Sequence, residues 1–305
     1  MKNNIIFMGT PDFAVPCFEK LINDRYNIPL VVSRPDKPKG RKQVLGAPPV
    51  KELALKRGIE VYQPVSLRTD EAREKIAGFS PDFLVVAAYG NILPKKILDI
   101  PKYGCVNVHG SLLPKYRGAA PIQHSILNGD RETGITTMLM NEGIDEGDIL
   151  LAGKTAIGEN ETAGELFDRL ASMAPEILIK TLIKIKTGEI TPIKQDNSAA
   201  TFAPPLNKEM SYIDRNLSAE EIHNKIRALN PWPAAKTEIA GINVKIYQSL
   251  KTEEKKAGNR GFYSSNGRLY VSCGDGMSLE ILELQPENGK KMTAAEFING
   301  RLNNL

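Results

Sequence analysis

The sequence predicts an α/β fold in which a mostly parallel sheet with flanking helices is followed by a smaller all-β barrel. Three observations carry this. Short apolar runs at residues 4–8, 28–33, 83–88 and 105–109 alternate with amphipathic helical stretches, as in βαβ units. The 83–88 run is almost continuously apolar, the mark of a strand buried on both faces. Beyond residue 208 the pattern changes to short alternating runs at 235–239, 244–250, 268–272 and 279–284 separated by glycine turns, which suits a small barrel.

Taken in order, the first strand ends at Gly9, and Thr10 is placed to cap a helix with Pro11 at its first position. That helix carries Phe13, Phe18, Leu21 and Ile22 inward. No GxGxxG follows the strand, which argues against a dinucleotide site without arguing against a doubly wound sheet. After the second strand comes Arg34-Pro-Asp-Lys-Pro-Lys-Gly-Arg-Lys-Gln43, with five basic residues, two prolines and a glycine. It is expected to be irregular. Leaving the carboxyl end of a parallel strand, it lies either in reach of a large substrate's phosphates or as a plain solvated loop. A helix over 51–57, a strand at 60–62 and a helix at 70–77 follow. The turn Tyr89-Gly-Asn-Ile-Leu-Pro94 reads either as the wall of a flat pocket or as an ordinary strand-to-helix connection. A helix over 120–127, a strand over 135–140 and an acidic turn, Glu142-Gly-Ile-Asp-Glu-Gly-Asp148, lead to a strand at 149–152. Residues 162–187 have helical spacing that Pro175 is expected to break or kink. The polar, proline-bearing stretch that follows reads as a linker, and Ser218 with Glu221 forms a capping box that opens a helix.

At 305 residues there is room for two domains, placed at 1–189 and 208–305 with 190–207 between them. The net charge of +4 is too small to imply nucleic-acid binding by itself, and it divides evenly, with 14 basic against 12 acidic residues from Lys208 onward. Cys17, Cys105 and Cys273 are scattered, with no metal spacing, as free thiols in a reducing compartment would be. No segment approaches the roughly 18 apolar residues of a membrane span, and the expected location is the cytoplasm.

The stretch Cys105-Val-Asn-Val-His-Gly-Ser-Leu-Leu-Pro114 carries the candidate chemistry. Strand parity puts Asn107 and His109 on one face, roughly 7 Å apart, where an amide donor and an imidazole meet one small reacting group. Such a pair suits acyl transfer, although an Asn and a His at a strand end also serve as hydrogen-bonded structure. Asp145, at the tip of the acidic turn, can supply a carboxylate to orient the imidazole; a solvated bend is the plainer reading, and a metal site is a weaker one, since the spacing matches no calcium loop. Cys105 lies four strand positions, roughly 13 Å, from His109 and is read as a core thiol. A serine hydrolase built on Ser111, His109 and Asp145 lacks the GxSxG elbow. Direct transfer to an attacking amine, with no covalent enzyme intermediate, is the reading that survives.

The runs FMGTPDFAVP, SRPDKPKGR, AAYGNILP, NVHGSLLPKYRGAAPI and GIDEGD, with NPWP further on, resemble the methionyl-tRNA formyltransferase family along essentially the whole chain. The resemblance implies a Rossmann-like catalytic domain and an OB-like carboxyl-terminal barrel that helps hold tRNA. It implies a formyl group moved from 10-formyltetrahydrofolate to the α-amine of initiator methionyl-tRNA, without metal, by a cytoplasmic monomer. The family's catalytic Asn, His and Asp fall on Asn107, His109 and Asp145. Its folate site falls on Ser111, Leu112, Leu113 and Pro114, with the pterin edge near Asn91 and Leu93. Its tRNA-inserting loop falls on Lys37, Lys39, Arg41 and Lys42, with Arg41 the key cation. Arg215 stands where the family has a tryptophan. Two other readings remain, a formyltransferase acting on a small amine and a non-catalytic RNA-binding protein.

Overall fold

The structure is a computed structural model that describes residues 3–39, 44–255 and 261–301. It opens with β1 (Asn4–Gly9), a 3-10 turn over Asp12–Ala14, α1 (Val15–Asn23) and β2 (Asn27–Val32). The helix therefore starts later than expected, and Thr10 does not cap it. Its hydroxyl instead donates to the Tyr89 carbonyl over 3.0 Å and accepts from the Arg34 amide at 3.4 Å, which ties three strand ends together.

The basic stretch also differs from expectation, because β3 (Lys37–Lys39) pairs antiparallel with β4 (Val44–Gly46). The two prolines that argued for irregularity are compatible with a short hairpin, since Pro38 takes a ladder position in a strand with only one partner. The chain continues through α2 (Pro49–Lys56), β5 (Glu60–Tyr62), α3 (Asp70–Ala77), β6 (Phe83–Ala87), α4 (Lys95–Leu98) and β7 (Cys105–His109). After these come β8 (Arg117–Gly118), α5 (Pro121–Leu127), β9 (Glu132–Leu139), β10 (Ile149–Ala156) and α6 (Ala163–Thr187).

Pro175 does not break α6. It lacks the amide hydrogen that a helix bond needs, but Leu170 and Ala174 before it and Leu178 and Leu182 after it are fully buried and keep the helix running through it.

Seven strands form one sheet in the order β10-β9-β7-β6-β1-β2-β5. β1 runs parallel to β2 and to β6, and β6 runs parallel to β7, while β9 is antiparallel to β7. The chain leaves β1 on one side and returns to it on the other, so a topological switch point lies at the carboxyl ends of β1 and β6, where open α/β sheets form ligand crevices. β7 is the next strand over, and its carboxyl end opens on the same edge.

The chain divides into two compact units that are not contiguous in sequence. One holds residues up to Ala119, Gly134–Thr155 and Phe167–Ala203; the other holds Ala120–Thr133, Ala156–Leu166 and the chain from Pro204 onward. The first unit includes β11 (Phe202–Ala203), which pairs with β8. The second is built on α7 (Ala219–Ala228), β12 (Ala235–Ile239), β13 (Ile242–Lys255), β14 (Phe262–Ser265), β15 (Arg268–Ser272), β16 (Met277–Pro286), β17 (Met292–Thr293) and α8 (Ala294–Arg301). These strands form an antiparallel sheet in the order β12-β13-β16-β15-β14, with β17 added on β16. Its core gathers Ile222, Ile226, Ile246, Leu269, Leu279 and Phe297, and the capping box of Ser218 and Glu221 opens α7 as the sequence indicated.

Candidate active site

The site grows from β7. All five of its residues are buried, yet Asn107 and His109 are polar, so each must find partners inside the protein. They find a shared one. Asn107 Nδ2 donates to Asp145 Oδ1 over 3.4 Å, and His109 Nδ1 lies 3.6 Å from Asp145 Oδ2. The other ring nitrogen, His109 Nε2, lies 2.8 Å from the Tyr116 carbonyl oxygen. A carbonyl can only accept, so Nε2 carries the hydrogen and Nδ1 is the atom turned toward the carboxylate.

The acidic turn delivers Asp145 through an unusual backbone. Asp145 has φ of +50°, in the left-handed region that L-residues other than Asn and Asp seldom adopt. Gly147 is required by close approach, since a Cβ there would sit 1.7 Å from the Leu139 carbonyl oxygen. From the opposite side the Gly118 amide donates to Asp145 Oδ2 over 2.9 Å. Gly118 too is a forced choice, with φ of +117° and a Cβ position 2.8 Å from the Ala203 carbonyl oxygen.

The turn after β7 is fixed by its own hydrogen bonds. Ser111 is fully buried and its hydroxyl donates to the Lys115 carbonyl over 2.6 Å, while Thr136 on β9 donates to the Ser111 carbonyl and accepts from the Leu113 amide. Of the residues expected to line a folate site, Ser111 and Leu113 are therefore largely committed to this turn, whereas Leu112 and Pro114 are half-buried beside it. On the neighbouring β6 loop Asn91 is exposed and Leu93 is buried in the core with Leu84, Val86 and Ile97. Backbone groups and Asn91, rather than the Leu93 side chain, are what that loop offers a ligand. A cavity of about 340 Å³ lined by Asn3, Asp24, Tyr26 and Lys186 lies at the opposite, amino-terminal edge of the sheet and holds none of these residues.

Cys105, on the same strand as Asn107 and His109, is excluded as a nucleophile. Burial pushes its thiol up to about 12, and its sulfur contacts the Leu98 carbonyl. Among the described residues no cluster of His, Cys, Asp and Glu could hold a metal, and no helix is long and apolar enough to cross a membrane.

The basic hairpin lies on the same carboxyl edge. Lys37 is exposed on β3, and Val44 and Leu45 on β4 are also exposed. Lys39 lies on β3 by its backbone, and Arg41 and Lys42 lie outside the described residues. The hairpin's base is anchored firmly. Lys51 Nζ donates to both Asp36 oxygens at 2.9 Å and to Gln63 Oε1 at 2.7 Å, and Gln63 Nε2 donates to the Arg34 carbonyl and to Asp36 Oδ1. Arg215, in the second unit, is exposed.

Chain comparison shows the family. The formyl transferase family matches residues 1–182, and the formyl transferase carboxyl-terminal domain matches residues 205–302. A methionyl-tRNA formyltransferase of Clostridium novyi is 48% identical over 299 residues, covering 97% of this chain and 96% of that protein. The chain belongs to the methionyl-tRNA formyltransferase family. The Bacillus velezensis member is 45% identical over 299 residues, covering 97% of this chain and 94% of its own. Among solved structures, an N-formyltransferase from Helicobacter canadensis in complex with folinic acid and dTDP-3-aminofucose matches with a TM-score of 0.71 at 22% identity, over 92% of this chain and 99% of that one. HypX from Aquifex aeolicus in complex with tetrahydrofolic acid matches with a TM-score of 0.67 at 14% identity, over 98% of this chain and 48% of its own. These last two share the fold.

Part of what this family member brings to Asp145 left no mark in the sequence. The Gly118 amide and the Tyr116 carbonyl are backbone groups, which any residue carries. Arg117 and Gln195 carry no clear local signal either: Arg117 is only 4% exposed in the structure, and Gln195 sits in a polar stretch.

Proposed function

We propose that the protein transfers the formyl group of 10-formyltetrahydrofolate to the α-amine of methionyl initiator tRNA, by direct attack without a covalent enzyme intermediate. What carries the reading is the convergence of Asn107, His109 and Asp145 at one strand end, in a chain that shares nearly half its residues over almost its whole length with proteins named methionyl-tRNA formyltransferase. A free α-amine has a pKa of about 8, so a useful fraction is neutral at cellular pH and positioning matters more than activation. The amine nitrogen bonds to the formyl carbon while the second Asn107 Nδ2 hydrogen and a proton carried on His109 Nδ1 stabilise the developing oxyanion. The carbon–N10 bond then breaks, and one proton passes from the attacking nitrogen to N10, with the Asp145 carboxylate within reach as a relay. No proton is gained or lost by the protein over the cycle.

In this reading the folate binds against Leu112, Pro114 and the Asn91 loop, with the backbone of Ser111 and Leu113 shaping the turn. Lys37, Lys39, Arg41 and Lys42 meet the phosphates of the tRNA, and residues 208–305 add a second RNA contact. The protein acts as a cytoplasmic monomer. The deciding assay mixes the protein with 10-formyltetrahydrofolate and methionyl initiator tRNA and scores formylmethionine released from the tRNA. Product with charged tRNA and none with free amino sugars or small amines is expected. Formylation of a small amine alone, or tRNA binding without transfer, would replace the proposal with one of the two competing readings.

A further inference from the structure

The stretch between the two family matches, polar and proline-bearing in sequence, is packed across the candidate site. Ile193 exchanges backbone hydrogen bonds with Ile149 at 2.8 Å, Thr201 Oγ1 accepts from the Tyr116 amide at 2.9 Å, and β11 pairs with β8. At its centre Gln195 is only 8% exposed and has every polar position engaged. Its Nε2 donates to the Asp145 carbonyl over 2.8 Å and to the Gly147 carbonyl over 2.7 Å. Its Oε1 accepts from Arg117 Nε at 3.0 Å and Arg117 Nη2 at 2.8 Å. Two carbonyls on one side and a guanidinium on the other leave only one orientation of the amide.

We infer that Gln195 is a positioning residue of the formyl-transfer site, holding the acidic turn so that the Asp145 carboxylate stays between Asn107 and His109. The inference rests on the proposed function above. Three observations lead to it. Asp145 stands at φ of +50°, a conformation that needs surrounding structure to hold it. Gln195 grips the turn at Asp145 itself and again two residues later, on both sides of the bend. The hydrogen bonds also close a ring, from the Asp145 carboxylate to the Gly118 amide, through the adjoining Arg117 to Gln195, and back to the Asp145 carbonyl. Arg117 is 4% exposed, and Asn197 Oδ1 accepts its Nη2 at 2.8 Å, so the far side of the ring is anchored as well. A loosened turn would leave substrate binding intact while letting the carboxylate drift from the imidazole.

Gln195→Glu separates the two halves of the grip, because a carboxylate still accepts from Arg117 but turns an oxygen toward two carbonyls. Gln195→Leu removes both halves at similar volume and serves if the Glu variant folds poorly. Steady-state kinetics should show kcat lower by about tenfold to a hundredfold, the cost expected of a misplaced group, with KM for both substrates within about twofold of wild type. The second arm repeats each substitution on an Asp145→Ala background, read by single turnover at enzyme excess. With the carboxylate gone, the Gln195 change should alter the residual rate by less than about twofold. Undiminished kcat, a loss that appears in KM, or an equal loss with and without Asp145 would overturn the inference. Wild-type turnover by Asp145→Ala alone would instead remove Asp145 from the proposed function, a separate failure.

Discussion

Asn107 and His109 each engage one nitrogen with a protein acceptor and keep another polar position near Asp145 for a reacting group. Their burial favours that arrangement, since an unpaired polar group in the interior is costly. Removing an oxyanion donor typically costs on the order of a hundredfold in rate. Asn107→Ala and His109→Ala are therefore expected to fold, with circular dichroism unchanged, and to lose formylmethionine production by about that factor or more; full activity in either would displace the residue from the reaction. The cysteines yield an opposite prediction. Burial pushes Cys17 and Cys105 up to about 12 and Cys273 up to about 11, so none presents a thiolate at neutral pH. A colorimetric disulfide reagent should leave all three unlabelled in the native protein and count three after denaturation, and rapid native labelling of Cys105 would contradict its place in the core.

At the scale of elements, the strands that hold the site were legible because period and composition agreed. β7 falls at Cys105–His109, the residues the pattern marked, and the parity that put Asn107 and His109 on one face is the parity of that strand. What escaped the sequence had no local signature. The pairing of β3 with β4 looked irregular because two prolines and a run of like charge outweighed three-residue strands. Gln195 looked like one more polar residue in a proline-bearing stretch, since its contacts lie 48 and 50 positions back along the chain. The hairpin's base yields a prediction of its own. Lys51, Asp36 and Gln63 tie the residue just before β3 to α2 and to the chain after β5, so Lys51→Met should loosen β3 and β4 without touching β7. The expected result is KM for charged tRNA raised about threefold to tenfold, shallower dependence on salt because fewer phosphates are neutralised, and KM for the folate unchanged. An equal rise in both constants would mean that the clamp supports the whole edge of the sheet instead.

Over the whole molecule, the chain enters the second unit three times, and His223 of α7 ties the second of those passes to the third. His223 is 2% exposed; its Nε2 donates to the Glu159 carbonyl at 3.0 Å and its Nδ1 accepts from the Ser249 hydroxyl at 2.9 Å. Two groups therefore meet at the one neutral imidazole of α7, one from the 156–166 segment and one from β13. Burial lowers its pKa below the ordinary value, the Glu159 carbonyl opposes the shift, and Arg227 and Lys251 add to it. Because the folded protein holds His223 neutral, the unfolded chain, with a histidine pKa of about 6.5, binds the extra proton first as pH falls. This contribution to stability is complete above about pH 6.5 and is lost between there and the depressed folded value. Trp232 is the only tryptophan and lies in the second unit, so its fluorescence follows unfolding of that unit alone. The urea midpoint read this way should hold steady above about pH 7 and fall as pH is lowered from 6.5 toward 5. His223→Gln keeps a hydrogen-bonding amide but cannot titrate. It should start from a lower midpoint at pH 7.5 and show a shallower acid-side decline, so that the two curves converge as pH falls. Curves that stay parallel down to pH 5 would mean that the acid sensitivity of this unit resides in other groups, and that the imidazole holds its three segments together in either protonation state.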